Sequence, residues 1–328
     1  MFGARLATNT FVEQRLTGRT GSGAVAVGDQ TQYLGLARFF RGEPLAPEVG
    51  PPFAYRVLPP FLAAMVPGNP RVNFILINIA SVMLAQVFLY ALVVRLRLGT
   101  ASAALGAGVY ALSFPVFYYG TDALTDPMAT AFLMMALWAI YEGTLSGYLV
   151  AASLGILCRE TDVAAVLVFA AWSLWTRPRR WGALVVGTAV PLAVAILPRL
   201  WFARFSHQPT YTQHASLDVL LFNLSRPRTY LTIVLALWFV PAAVTWYLAR
   251  TRGRVAVLPT IDAARFVYLT GAVLLLIPAY ALVAAYSDGR FFWVLYPAAI
   301  PFALGCVSAA SASQARASRG IDAADIET

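Results

Sequence analysis

Apolar residues in this chain come in long runs, broken by short polar stretches. Nine runs can be marked between Asn73 and Ala310, at about 73–94, 101–119, 126–141, 145–158, 162–176, 181–198, 229–249, 266–285 and 291–310. About 20 such residues in a helix cross a hydrocarbon layer of ~30 Å. The pattern therefore predicts an all-α polytopic membrane helix bundle with about nine transmembrane segments. The fourth and fifth runs are short and flank Arg159-Glu160-Thr161-Asp162. One helix over both would measure about 48 Å at 1.5 Å per residue, too long for one crossing, so a helical hairpin with a polar turn is expected. Residues 73–310 form the transmembrane domain in this reading, and 311–328 a cytosolic tail.

Ahead of the bundle, residues 1–72 read as a non-cytosolic segment with interfacial helices. Leu34, Leu36, Ala37, Phe39 and Phe40 alternate with polar residues between Thr31 and Arg41, a pattern suited to a short helix lying at the membrane surface. Pro44, Pro47, Pro51 and Pro52 then break the chain before an apolar stretch from Phe53 to Val66. Residues 1–28 contain neither a signal-peptide core nor a spanning run.

Composition agrees with the pattern. Of 328 residues, 59% are apolar and 12% charged, against roughly 45–50% and 25% in soluble domains. That excludes an ordinary cytosolic enzyme and excludes disorder. The net charge is +9, and all 24 basic residues are arginine. The absence of lysine excludes Schiff-base and lysine-nucleophile chemistry. The arginines are scattered between apolar runs rather than gathered on one face, which argues against nucleic-acid binding. Cys158 and Cys306 are expected near opposite membrane faces, too far apart for a bridge. His207 and His214 share a polar loop, but nothing completes a metal-ligand set of known spacing, and no His-Glu-x-x-His is present.

Arginine placement orients the bundle. Arg95 and Arg97, Arg177, Arg179 and Arg180, the group from Arg250 to Arg265, and Arg316 and Arg319 all fall on one side when nine segments alternate. That side is assigned as cytosolic. The opposite side then receives 1–72, 118–125, the 159–162 turn, the 199–228 loop and the 286–290 turn.

Acids collect at helix ends on that second side: Asp29, Asp122, Asp126, Glu160, Asp162 and Asp288, beside Arg56, Arg159 and Arg290. Ionisable residues at a membrane boundary are expensive and mark functional sites or internal ion pairs. A carboxylate there serves as general base toward a hydroxyl. Guanidinium forks suit a phosphate and neutralise it as a leaving group. Phe39, Phe40, Tyr55, Tyr118 and Tyr119 suit either an isoprenoid chain or an interfacial aromatic belt. Together these parts describe a reaction at the membrane surface on a phosphate-bearing lipid.

Five segments carry a resemblance. Gly28-Asp29-Gln30-Thr31-Gln32-Tyr33, followed by Ala37, resembles the first extracytosolic loop of C-type (GT-C) membrane glycosyltransferases. Phe53 to Pro60 is similar to the Tyr-Arg-x-Leu-x-Pro segment of bacterial members. Thr121-Asp122-Ala123-Leu124, Cys158-Arg159-Glu160-Thr161 and Asp288-Gly289-Arg290-Phe291-Phe292 resemble three later turns. The resemblance implies a GT-C-like fold in the bacterial inner membrane. It implies a polyprenyl-phosphate sugar donor and a glycan or lipid acceptor of the cell envelope. Asp29 would be the base, with Arg56, Arg159 and Arg290 at the phosphate. Tyr33, Tyr55, Asp122, Asp126 and Glu160 would be further substrate contacts. No cofactor is implied; a divalent cation would enter only with a pyrophosphate donor. The resemblance also implies a spanning helix before the catalytic loop, and the expectation is that the chain lacks it.

Two other classes stay open on the residues. A transporter or flippase for a lipid-linked or small polar substrate would carry charges near mid-membrane and paired broken repeats; here the charges sit at helix ends. A non-catalytic subunit of a glycopolymer assembly system fits the expected loss of the first helix.

Overall fold

Helices account for every marked run in a computed structural model, which describes residues 28–318 apart from 48, 177–178, 204–214, 254 and 286. The described residues hold no strand. His207 and His214 lie outside them.

The amino-terminal layer consists of α1 (Asp29–Phe39), a 3₁₀ turn at Phe53–Tyr55 and α2 (Leu58–Met65). The bundle follows with α3 (Pro70–Arg95), α4 (Thr100–Leu112), α5 (Phe114–Tyr119), α6 (Asp126–Glu142), α7 (Leu145–Cys158), α8 (Val163–Thr176) and α9 (Trp181–Phe202). Its second half contains α10 (Leu217–Leu224), α11 (Pro227–Leu237), α12 (Phe239–Thr251), α13 (Ile261–Ala284), α14 (Gly289–Phe292) and α15 (Tyr296–Ser318).

Among the described residues, four helical stretches have the length and apolar composition to cross a membrane: α3, α9, α13 and the run from Gly289 to Ala315. The α11–α12 pair, bent by 59°, is a fifth if counted as one span. Among the described residues the regular structure is all helix, and these four or five full-length apolar helices are those of a multi-pass membrane protein. The sequence pattern alone predicts about nine, and the remainder are shorter helices. The second run breaks at Ser113, where an extended backbone precedes Pro115. Helices α7 and α8 have 14 residues each, about 21 Å at 1.5 Å per residue.

The expected hairpin is present. Arg159 is extended (φ −160°, ψ 131°), a 3₁₀ turn follows, and α8 returns so that Tyr148 and Phe169 stack with centroids 4.2 Å apart. Gly155 permits this turn, because a Cβ there would stand 2.5 Å from Asp162 Oδ2.

Two apolar cores share the bundle. One joins α3, α4, α12 and α15 through Leu89, Tyr110, Phe239 and Tyr296. The other joins α6, α7, α8 and α13 through Leu137, Tyr148, Trp172 and Phe266. The outward face of α9 is a band of Val185, Val190, Ile196, Leu197 and Leu200, and only 17% of its apolar window is buried. A band of that size belongs against lipid.

The amino-terminal layer is packed onto protein. Tyr33, Leu36 and Ala37 of α1 are buried, and Phe39 and Phe40 meet Trp201 and Phe202 at the end of α9. Arg41 ties the layer down by donating from Nη2 to the Val66 carbonyl (2.6 Å) and from Nη1 to that of Gly68 (2.6 Å). Its Nε and Nη2 also reach the carbonyls of Ala64 (3.1 Å) and Ala63 (3.3 Å), which are left open where α2 ends. Asn73 Nδ2 donates to Val66 O as well (2.7 Å).

Candidate active site

Three turns of the bundle hold ionic residues. Asp126 opens α6, where a carboxylate in the first turn faces the positive end of the helix dipole. The preceding turn is pinned from α3: Asn78 Nδ2 donates to the carbonyls of Asp122 (2.6 Å) and Leu124 (2.9 Å). Arg159 and Glu160 sit in the hairpin turn. Arg290 stands in α14, which Asp288 caps by accepting from the Arg290 amide at 2.9 Å. Tyr119 OH donates to the other Asp288 oxygen (3.0 Å), and the Gly289 amide donates to Thr232 Oγ1 (2.9 Å). Asp288 is therefore a structural brace for the turn that carries Arg290.

Into this frame the amino-terminal layer brings Asp29, Tyr33 and Arg56. Arg290 Nη1 donates to Asp29 Oδ2 at 2.9 Å. Asp29 makes no capping bond to its own helix; Gly28 is the N-cap, and its carbonyl accepts from the Thr31 amide. Arg56 grips Glu160 with two bonds and donates from Nη1 to Tyr33 OH at 2.5 Å. Arg159 is ion-paired with Asp126, and Arg290 Nε lies 3.9 Å from the same carboxylate. Both guanidinium groups lie against the Phe291 ring, at 5.5 and 5.6 Å from its centroid. The Nε–H groups of Arg159 and Arg290 and the Asp162 Oδ2 are buried without a hydrogen-bond partner among the described residues.

Burial pushes the Asp29 carboxyl up, but Arg290 above all, with Arg56 and Arg159, holds it below the usual carboxylate value. Burial also opposes ionisation of Glu160, and the Arg56 contact overrides it, bringing its pKa down to about 2. Burial, with Arg56 and Arg290 as neighbours, pushes Arg159 down to about 10; it stays charged at neutral pH. The site thus presents an ionised carboxylate beside three crowded guanidinium groups. A cavity of about 20 Å³ lies between Asp126, Arg159, Asp162, Arg290 and Phe291. That is about the room one water needs.

No family model, curated protein or solved structure matches the chain.

Of the residues singled out in the sequence, Asp29, Tyr33, Arg56, Asp126, Arg159, Glu160 and Arg290 meet in one network. Tyr55 does not: its ring lies under the Arg199 guanidinium at 5.1 Å, beside the Val49 and Phe202 cluster. Asp122 enters through its backbone carbonyl, which Asn78 holds. Sequence reasoning missed Asn78, Thr232 and Thr125, whose Oγ1 donates to Tyr33 OH at 3.4 Å. Polar residues inside apolar runs were the signal that could have found the first two. A larger cavity, about 120 Å³, lies among α6–α9 beside Tyr148, Phe169 and Trp172, with Arg180 and three hydroxyl side chains at its edge.

Proposed function

We propose that the chain is a GT-C-type membrane glycosyltransferase working on the non-cytosolic face of a bacterial inner membrane. It moves a sugar from a polyprenyl-phosphate donor to a glycan or lipid acceptor. The observation that carries this reading is the meeting of Asp29 with Arg290, flanked by Arg56 and Arg159, at one end of the bundle. In the transfer, the acceptor hydroxyl oxygen bonds to the anomeric carbon and gives its proton to Asp29. The carbon–oxygen bond to the phosphate breaks, and the electron pair leaves with polyprenyl phosphate. Arginines neutralise that leaving charge as it forms. Asp126 and Glu160 hold two of them in position. The nine-segment topology belongs to the same reading, with the short α7–α8 hairpin placing its charged turn at the reaction face.

The test is direct. The chain in lipid nanodiscs, given a polyprenyl-phosphate hexose labelled in the sugar, should release polyprenyl phosphate and label a hydroxyl acceptor. Absence of turnover with every polyprenyl-phosphate sugar tried, alongside transport of the intact lipid between leaflets, would favour a flippase. The 59° break between α11 and α12 is the feature that supports that second reading.

A further inference from the structure

We propose that the Asp29–Arg290 ion pair is a latch that the donor's phosphate opens, so that the base is freed only when its leaving group is in place. This rests on the transferase reading above. With the ion pairs closed, the space between Arg159 and Arg290 is about 20 Å³, too small for a phosphate and a sugar. Something must move for a donor to bind, and Asp29 is the group freest to do so. It stands at the first position of α1 with no capping bond, and after Gly28, around which a side-chain carbon would meet nothing within 4 Å. Its side chain is 30% exposed, whereas that of Asp126 is 6% exposed.

Arg290 is built to stay. Its guanidinium rests 5.9 Å from the Tyr119 ring and 5.6 Å from that of Phe291, and Asp288 and Thr232 fix its backbone. Its Nε–H, like that of Arg159, has no hydrogen-bond acceptor among the described residues. A phosphate oxygen would supply one to each. The same exchange alters the base. Paired with Arg290, Asp29 is a poor proton acceptor, because the guanidinium holds its carboxyl low; a phosphate that takes over Arg290 removes that restraint.

The experiment is a double-mutant cycle on binding of polyprenyl phosphate to the full chain in nanodiscs. Asp29→Asn should tighten binding roughly tenfold, and the gain should vanish in an Arg290→Gln background, since coupled partners are not additive. An equal gain in both backgrounds would mean a simple charge effect and overturn the latch. So would unchanged or weaker binding by Asp29→Asn. Binding absent from wild type and all variants would instead overturn the donor reading itself. A second measurement needs only Asp29→Asn: calorimetry near pH 5 in two buffers should show more protons taken up on binding by wild type than by the variant. Equal uptake would also overturn the proposal.

Discussion

Arg56 and Glu160 are 104 residues apart, yet Nε donates to Oε2 at 2.9 Å and Nη2 to Oε1 at 2.6 Å. This fork-to-fork contact joins the amino-terminal layer to the hairpin turn, as the Asp29–Arg290 pair joins it to α14. Its contribution depends on pH. Glu160 titrates at about 2 in the folded chain, below its ordinary 4.5. Stability from the pair is therefore complete above pH ~4.5 and fades as pH falls toward 2. Melting temperatures of wild type and Glu160→Gln in detergent should differ near pH 6 and converge below pH 3. A constant gap across that range would contradict the assignment.

Asp29→Asn should leave the fold in place, because the carboxylate makes no helix-capping bond and Arg290 keeps Asp126 as an acidic neighbour. Transfer from a polyprenyl-phosphate sugar should slow by roughly 10²–10⁴-fold, the usual share of a general base. Turnover at the wild-type rate would leave Asp29 as a partner of Arg290 and nothing more.

Arg159→Ala should cost stability as well as donor binding. Asp126 is buried and paired with Arg159, and removing one partner of a buried pair costs about 3–5 kcal/mol. Asp126→Asn in the same chain should restore much of the melting temperature while donor binding stays weak. Recovery of both together would make Arg159 a purely structural residue.

Gly289→Ala should destabilise the turn that presents Arg290. A Cβ at Gly289 would stand 2.3 Å from the Thr232 carbonyl oxygen, a backbone atom that cannot swing aside. A loss of about 1–3 kcal/mol is expected from such overpacking. Gly108→Ala, inside α4 and with nothing within 4 Å, is the matched control and should be neutral to slightly stabilising, because alanine is favoured over glycine in a helix interior. The comparison is read from thermal melts of the two variants.

Topology is open to labelling. The native thiols Cys158 and Cys306 are buried, so single cysteines in place of Asp218 and Gln314, both exposed, report their own sides. Impermeant maleimide should reach Asp218→Cys from outside intact spheroplasts and Gln314→Cys only after lysis. Labelling of both from one side would end the nine-segment assignment.

The apolar runs alone were enough to specify helices, membrane and turns. Burying backbone amides in lipid leaves a chain little but helix, and a charged tetrad between two runs too long for one crossing forces a turn. The nine-segment reading put the loops carrying Asp29, Arg56, Arg159 and Arg290 on one side, and the packing of α1, the hairpin and α14 brings these residues together. Three-dimensional packing decided the rest. Apolarity says where a helix is comfortable but not how long it stays straight, so the breaks at Ser113 and Trp238, and with them the number of full crossings, came only with the fold. Partner choice is likewise invisible along a chain. Asp29 could have capped its helix as readily as it reaches Arg290, and Tyr55 could have joined its neighbour Arg56 instead of Arg199. Which acid meets which arginine depends on how α1, the hairpin and α14 pack together, because a hydrogen bond requires its atoms within about 3 Å, and the partners here stand as far as 104 and 261 residues apart in the chain.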